Sequence, residues 1–257
     1  MTQSRRHGWT TGRRREALPR RQLTGSCLAL VCAALSACSS GQSTAATRST
    51  PTPTPPTTPT PRAAVTYVAI GASDAFGIGT RIPDQDNWPT ALASALGPSV
   101  HLVNLGIPGA TAELANRDEV PLALVAQPDI ITVFVGVNDL DEGIALDTFR
   151  TQMVTLLTTL SAETSARIYV GNLPDLSLLP HFAADDPAQL RAEVHTWNAV
   201  IADAARSDDA VVVDLFDGWG ELAKHPDYIS ADGFHPSSLG AARLADVFAA
   251  AIRANGA

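Results

Sequence analysis

From residue 65 onward, short and continuous apolar runs alternate with segments of helical periodicity. The run from Ile130 to Val135 contains one polar residue, Thr132, and does not alternate between apolar and polar positions. Such a pattern is typical of a parallel strand covered on both faces. The five strand-like runs are Val65–Ile70, Val100–Leu105, Ile130–Val135, Arg167–Val170 and Ala210–Leu215. This alternation predicts a three-layer α/β/α sandwich with a central, mostly parallel five-stranded sheet and right-handed crossovers.

Apolar stripes at helical spacing predict three of the helices between and after these strands. One stripe runs from Phe149 to Leu160, behind a predicted N-cap at Asp147. A second runs from Leu190 to Ala204, and a third helix is expected at about Ser238 to Ala254. We interpret these stripes as parts of the hydrophobic core rather than as contacts to a cofactor.

The first 63 residues differ in charge from the rest of the chain. They contain nine arginines and one acidic residue, a net charge of +8, whereas the remainder has a net charge of −16. A domain this acidic repels phosphate backbones, so nucleic acid is not an expected partner. The basic segment is better explained as a targeting signal.

An apolar run from Cys27 to Cys38 follows the arginines and is about half the length of the ~20 residues that a membrane-spanning helix needs. A basic region followed by a short apolar region predicts a secretory signal peptide. The sequence Leu35-Ser36-Ala37-Cys38 resembles the bacterial lipobox, which implies cleavage before Cys38 and attachment of diacylglycerol to its thiol. The expected location is the outer face of a bacterial membrane, through this lipid anchor. The alternative is an ordinary signal peptide with a cysteine there by chance.

Residues 39–63 are rich in serine, threonine and proline, and Pro51–Pro61 consists almost wholly of proline and threonine. Such a segment cannot bury a core and predicts an extended polyproline-II spacer. The predicted organisation is therefore a signal peptide at 1–38, a disordered linker at 39–63 and a catalytic domain at 64–257. Because every cysteine lies at or before Cys38, the predicted domain has no disulfide and no thiolate metal site.

Polar motifs follow several of the predicted strands. Ser73 follows the first strand, Gly109 the second and Asn138 the third, while His235 lies between the fifth strand and the last helix. Ligands of parallel sheets bind beyond the carboxyl ends of the strands. These sequence-distant motifs are therefore expected to share one edge of the sheet.

Asp232 and His235 form the most specific pair in the sequence. A carboxylate three residues before an imidazole can accept the Nδ1 proton and leave Nε2 free as a base. A serine reached by that base becomes an activated nucleophile. The competing interpretation is a metal site completed by His225 or Asp227, although a clear third ligand is missing.

The other motifs are less specific. Gly109 can offer an unshielded backbone N–H, and Asn138 a side-chain N–H, to an oxyanion. An ordinary turn explains Gly109 equally well, and an Asx turn is the alternative for Asn138. Ser73 can instead be a capping serine; a phosphate-binding loop is disfavoured because neither the GxGxxG nor the Walker spacing is present.

Taken in order, these motifs resemble those of the SGNH (GDSL-like) hydrolase family over Tyr67 to Ile252. The resemblance implies an SGNH/flavodoxin-like fold, a Ser-His-Asp triad and an oxyanion hole. The triad residues are Ser73, His235 and Asp232, and the oxyanion hole comprises Ser73, Gly109 and Asn138. One departure is that the family's usual Gly-Asp-Ser is Gly71-Ala72-Ser73 here, with Asp74 following.

The function expected from this resemblance is a serine esterase that needs no metal or organic cofactor. Its substrate would be a small or polymer-borne ester; acetylated polysaccharide, lysophospholipid, simple ester and thioester remain open, as does the oligomeric state. Two other functions also remain open. One is a non-catalytic, solute- or glycan-binding surface lipoprotein on the same fold, and the other is a metal-dependent phosphoesterase.

Overall fold

A computed structural model of the protein describes residues 65–218 and 220–256. The predicted signal peptide, the lipobox residue Cys38 and the proline-rich linker lie outside these residues. None of the helices in the described ranges is long and apolar enough to cross a membrane.

Five parallel strands form a single sheet in the order β2-β1-β3-β4-β5. Their bounds are β1 Val65–Gly71, β2 Val100–Asn104, β3 Ile130–Phe134, β4 Arg167–Gly171 and β5 Val211–Val213. The predicted strands are thus confirmed to within one or two residues. Strand β3 lies in the centre and is buried along its whole length, whereas the edge strand β2 is partly exposed. The long apolar run of β3 and the more polar β2 follow from these positions.

Ten helical segments connect or follow the strands in the described residues. They are α1 Ser73–Phe76, α2 Pro83–Asp86, α3 Trp88–Leu96, α4 Ala112–Leu114, α5 Val120–Val125, α6 Val137–Asp141, α7 Leu146–Glu163, α8 Pro187–Ser207, α9 Leu215–Gly218 and α10 Ser238–Ala254. A π-helical turn, Ala115–Glu119, joins α4 to α5. Short 3-10 turns occupy Leu176–Leu178, Pro180–Phe182, Gly220–Lys224 and Pro226–Tyr228.

Two separate cores cover the two faces of the sheet. Along β1, Val68 and Ile70 join the core formed with α7 and α8, whereas Tyr67 and Ala69 join the core formed with α3 and α10. This alternation follows from the two-residue period of side chains in a strand. The structure therefore has the predicted three layers.

The predicted helices on both faces are present, with one correction at an N-terminus. Helix α8 begins at Pro187, and the Asp186 side chain caps it by accepting the N–H groups of Ala188 and Gln189. Helix α7 begins one residue before Asp147, so its N-cap is Ala145 and not Asp147. Asp147 still lies in the first turn, where a negative charge is favourable.

Helix α3 was not among the three helices predicted from the sequence. Asn87 caps this helix by accepting the N–H of Thr90. The Trp88 ring is fully buried and stacks on Phe248 of α10, with the ring centroids 4.7 Å apart. Helix α3 thereby fixes the segment that follows Ser73 against the sheet.

Candidate active site

The structure brings Ser73, His235 and Asp232 into one continuous line of hydrogen bonds. The Nε2 atom of His235 lies 2.9 Å from the Oγ of Ser73. On the other side of the ring, Nδ1 lies 2.8 Å from Oδ2 of Asp232. With a proton on Nδ1, Nε2 is free to accept the hydroxyl proton of Ser73. All three predicted residues thus meet at the carboxyl edge of the sheet.

Ser73 is buried at the first position of α1, directly beyond the end of β1. Its carbonyl oxygen accepts the N–H groups of Gly77 and Ile78 at 3.0 and 2.8 Å, which closes the short helix under the hydroxyl. Gly71 must be small, because a Cβ at this position would lie 2.7 Å from the Cβ of Ala75. The turn after β1 therefore holds the hydroxyl at a fixed position.

The loop before α10 positions the imidazole through both oxygens of Asp232. The Oδ1 atom accepts the backbone N–H groups of Phe234 and His235 at 2.8 and 2.9 Å, while Oδ2 faces the ring. Burial alone would raise the pKa of Asp232, but these hydrogen bonds outweigh it and hold the pKa well below its ordinary value. Asp232 is consequently ionised at neutral pH and favours the Nδ1-protonated form of His235.

Gly79 packs closely against the Cβ of His235. Its φ angle is +89°, and a Cβ here would lie 2.7 Å from the Cβ of His235 and 2.6 Å from the backbone oxygen of Pro236. Any side chain at this position would be strained and would press directly on His235. Gly79 therefore helps to position the base.

Gly109 occupies the third position of a turn from Ile107 to Ala110, in which the Ala110 N–H bonds the Ile107 carbonyl at 2.9 Å. Pro108 precedes Gly109, and the φ angle of Gly109 is +80°. This combination is expected of a type II turn. Within the described ranges, the N–H groups of Gly109 and Ser73 have no hydrogen-bond partner. Both are therefore free to donate to an oxyanion.

Asn138 lies in the first turn of α6, after β3, and lines the same crevice as Ser73 and His235. Its Nδ2 atom donates to the carbonyl of Ala110 at 2.9 Å. That bond uses one of the two amide hydrogens and connects Asn138 to the turn that contains Gly109. The second hydrogen is available to an oxyanion.

Asp139 is buried and connects the same two segments. Its carboxylate oxygens accept the N–H of Ala112 at 3.2 and 3.0 Å. Burial raises its pKa to about 6, against the lowering effect of these hydrogen bonds. Asp139 therefore connects the start of α6 to the start of α4.

Two further carboxyl groups near Ser73 were not identified as part of the site from the sequence. Asp74 lines the crevice and accepts the Trp88 Nε1 hydrogen at 2.8 Å, and burial raises its pKa to about 6. Glu119, on the π-helical turn, is fully buried and accepts the N–H of Gly71 at 2.8 Å. Burial raises the pKa of Glu119 to about 8, so its carboxyl group is mainly neutral at pH 7.

The other histidines of the described ranges lie outside this line of hydrogen bonds. His225 lies 3.7 Å from Asp227, and His181 lies 3.0 Å from Asp141. His195 is exposed and packs against Phe216. In residues 65–218 and 220–256, no group of three or more histidine, cysteine or acidic side chains is arranged to hold a metal ion.

Two asparagines support the loop after β4. Asn172 accepts the N–H groups of Leu215 and Phe216 at 2.6 and 3.1 Å. Asn198, on α8, accepts the N–H of Leu173 and donates to its carbonyl, at 2.8 and 2.9 Å. Both residues lie in stretches, Asn172–Asp175 and Trp197-Asn198, that also resemble the family, although neither was among the predicted site residues. Together they fix the loop after β4, which lines one side of the crevice.

Comparison with protein families identifies one family for the chain. The model of the GDSL-like Lipase/Acylhydrolase family matches residues 44–243. No curated protein matches the chain.

Several solved structures share the fold. A lipase/acylhydrolase from Enterococcus faecalis is 22% identical with a TM-score of 0.60, and the match covers 74% of this chain and 96% of that one. A member of the lipolytic protein G-D-S-L family from Veillonella parvula is 18% identical with a TM-score of 0.60, covering 74% and 99%. The acetylxylan esterase Axe2 from Geobacillus stearothermophilus is 19% identical with a TM-score of 0.58, covering 74% and 94%.

Proposed function

The chain belongs to the GDSL-like lipase/acylhydrolase family, and we propose that it is a serine esterase that cleaves carboxylic esters with Ser73, His235 and Asp232. The observation that carries this proposal is the unbroken line of hydrogen bonds from Ser73 Oγ through the His235 ring to Asp232. This line supplies a nucleophile, a base and a group that orients the base.

In the first half of the reaction, the Oγ of Ser73 attacks the ester carbonyl carbon while Nε2 of His235 takes its proton. The resulting imidazolium lies against Asp232, whose pKa is held low and which is therefore negatively charged. The tetrahedral intermediate then collapses, His235 protonates the leaving alcohol, and an acyl-Ser73 ester remains.

Three donors stabilise the negative oxygen of the intermediate. Two are the free backbone N–H groups of Ser73 and Gly109, and the third is the remaining side-chain hydrogen of Asn138. Asn138 is bonded to Ala110, and Asp139 to Ala112, so the side-chain donor and the turn containing Gly109 move as one unit. Little reorganisation is then needed as charge develops.

In the second half, His235 removes a proton from water, which attacks the acyl-Ser73 carbonyl. The same three donors hold the second oxyanion, and His235 returns the proton to Ser73 as the acid product leaves. Apart from the ester and water, these steps use only side-chain and backbone groups of this chain. Short-acyl esters, acetylated glycans and lipid-type esters are all compatible with this chemistry, and the structural likeness to an acetylxylan esterase makes acetylated sugars one class to test.

The experiment that tests the proposal is covalent labelling with a fluorophosphonate, which reacts with activated serines. We expect the purified chain to be labelled once, and Ser73→Ala to lose the label. Ser94→Ala is the matched control, because Ser94 Oγ is exposed and bonds only the Thr90 carbonyl within α3. A non-catalytic binding module would not be labelled at all, and labelling that survives in Ser73→Ala would contradict the assignment.

We also propose that the protein is anchored to the outer face of a bacterial membrane through a lipid on Cys38. The lipobox-like Leu35-Ser36-Ala37-Cys38 and the preceding basic and apolar segments support this. In cells fed an alkyne fatty acid, the chain should acquire the label and sediment with membranes. Cys27→Ala should leave the labelling unchanged, whereas labelling that persists in Cys38→Ala would contradict the anchor.

A further inference from the structure

A small crevice opens beside the Ser73 hydroxyl. It has a volume of about 50 Å³, and most of its lining is apolar. Its apolar wall comprises Val137 at the start of α6, Leu176 and Leu179 around the first 3-10 turn, and Phe234 beside the imidazole. Asn138 and His235 also line it, so a group in the crevice is adjacent to the reacting carbonyl.

The size of this crevice restricts which part of an ester can enter it. A water-sized group needs roughly 10–15 Å³, so about 50 Å³ holds only about three to five non-hydrogen atoms. A sugar, a glycerophosphate or an aromatic alcohol has more atoms than that and is polar or bulky. A short alkyl chain matches the crevice in both volume and polarity.

The side of the crevice formed by Leu176 and Leu179 is held in place by its own contacts. Leu176 has no exposed surface and Leu179 is 5% exposed. The turn begins at Asp175, whose carboxylate accepts the Ser177 N–H at 3.2 Å and pairs with Arg191 of α8 at 2.7 Å. Truncation of either leucine would therefore enlarge a preformed space rather than release a mobile loop.

The same wall is fixed to the loop that carries the base. The backbone N–H of His181 donates to the Gly233 carbonyl at 3.1 Å, and the rings of His181 and Phe234 pack with centroids 4.6 Å apart. The distance from the leucine wall to the imidazole is thus fixed by direct contacts. The fold therefore sets the depth of the crevice beyond the carbonyl carbon of a bound ester.

We propose that this crevice is the acyl pocket, and that Leu176 and Leu179 restrict the enzyme to esters of short acids, of about two to four carbons. The inference rests on the proposed esterase function and adds to it the acid half of the substrate and the residues that select it. The alcohol half, which cannot enter the crevice, lies on the open side of Ser73.

Chain-length profiles of the purified chain test this proposal. The acetate, butyrate and octanoate esters of p-nitrophenol share one leaving group, so differences in kcat/KM report the acyl chain. We expect kcat/KM for octanoate to be at least about tenfold below that for acetate. Leu176→Ala and Leu179→Ala should each raise the octanoate-to-acetate ratio about tenfold or more, because the removed side chain leaves space for the longer chain.

Leu178→Ala is the matched control. Leu178 lies on the same 3-10 turn, is only partly buried and does not line the crevice. Its ratio should stay within twofold of the wild type. A wild-type enzyme that prefers octanoate, or leucine variants whose ratios equal that of Leu178→Ala, would overturn the proposal.

Val137→Leu tests the acyl-pocket proposal without truncating a core side chain. Val137 is partly buried at the start of α6, and one added methylene narrows the crevice. Butyrate hydrolysis should fall at least fivefold relative to acetate, and an unchanged ratio would overturn the proposal even if both leucine variants fail to fold.

Failure of this inference is distinguishable from failure of the esterase proposal. If hydrolysis depends on Ser73 but not on chain length, only the acyl pocket is wrong. If the folded wild-type chain is not labelled by a fluorophosphonate and cleaves none of the three esters, both proposals are wrong.

Discussion

His235 Nε2 lies 2.9 Å from Ser73 Oγ, although 162 residues separate the two in the chain. The contact depends on two local devices: the tight turn after β1 and the Asp232-centred loop before α10. Four of the five parallel strands, β2 to β5, lie between these devices in sequence, and the sheet brings the two devices together at one edge. A change in either device should therefore affect the reaction more than it affects the fold.

Replacing Asp232 by Asn should lower kcat on the order of 10⁴-fold with little change in KM. The side-chain oxygen can still accept the N–H groups of Phe234 and His235, so the loop is retained. The amide nitrogen then faces Nδ1 and donates to it, which moves the ring proton to Nε2 and removes the base. Steady-state kinetics and a thermal unfolding curve measure the two effects separately. A variant with an unchanged melting temperature and wild-type kcat would show that His235 does not depend on Asp232.

Replacing Asn138 by Ala removes one of the three proposed oxyanion donors and should lower kcat by about 10²–10³-fold. Because the lost bond matters mainly in the transition state, KM should change little. Asn255→Ala is the control, since Asn255 follows the C-terminal end of α10 and bonds only the Ala251 carbonyl through its side chain. If kcat falls by less than about threefold in Asn138→Ala, Asn138 stabilises only the turn that contains Gly109 and is not an oxyanion donor.

Gly79→Ala should displace His235 and reduce kcat about 10²-fold, since misplacement of a reacting group by about 1 Å costs this much. The added methyl would lie 2.7 Å from the His235 Cβ. Gly97→Ala separates this effect from general backbone strain, because Gly97 also has a positive φ angle, +127°, but a Cβ there meets nothing within 4 Å. Both variants should lose stability, and only Gly79→Ala should lose turnover. Equal kcat values in the two variants would contradict the positioning role.

The buried Glu119 should make stability depend on pH. Burial raises its pKa to about 8 in the folded state, so between the ordinary pKa and about 8 the folded state binds more protons than the unfolded state. The free energy of unfolding contributed by this group therefore falls as pH rises through that range. Glu119→Gln keeps an oxygen for the Gly71 N–H but does not titrate.

Urea unfolding of the wild type and Glu119→Gln at pH 6 and pH 8 measures this contribution. Between pH 6 and pH 8, the unfolding free energy of the wild type should fall by about 2 kcal/mol relative to that of Glu119→Gln, because each pH unit in this range contributes up to about 1.4 kcal/mol. Asp74 and Asp139, whose pKa values are about 6, are present in both proteins, so the part of their titration that is independent of Glu119 cancels in the difference. A difference that does not change with pH would show that Glu119 is ionised throughout.

The sequence predicted the parts of this structure that depend on local pattern. Strand β3 was identified because a central parallel strand is buried on both faces and therefore continuously apolar. Helix α8 was placed correctly because Asp186-Pro187 combines a cap with a residue suited to the first turn. Ser73, Gly109, Asn138 and His235 were found at the same edge because strand ends in a parallel sheet meet there.

Features that depend on distant contacts were not predictable in this way. Glu119 contacts Gly71 across 48 residues, and nothing in the sequence around Glu119 distinguishes a buried carboxyl group from an exposed one. Asp74 was treated only as a departure from the family pattern, although its partner Trp88 lies 14 residues away. The position of Leu176 and Leu179 in the crevice beside Ser73 likewise depends on how the loop after β4 folds. These three features came from the structure.

Hydrolysis of p-nitrophenyl acetate by Ser73→Ala is the most direct test of the central claim, that a serine activated by His235 carries the reaction. The wild-type chain should turn the ester over, and Ser73→Ala, with an unchanged melting temperature, should lose about 10⁴-fold or more in kcat. His235→Ala should lose a similar factor, and the double variant no more than either single one, because the two residues act as a unit. Turnover in Ser73→Ala within tenfold of the wild type would contradict the account.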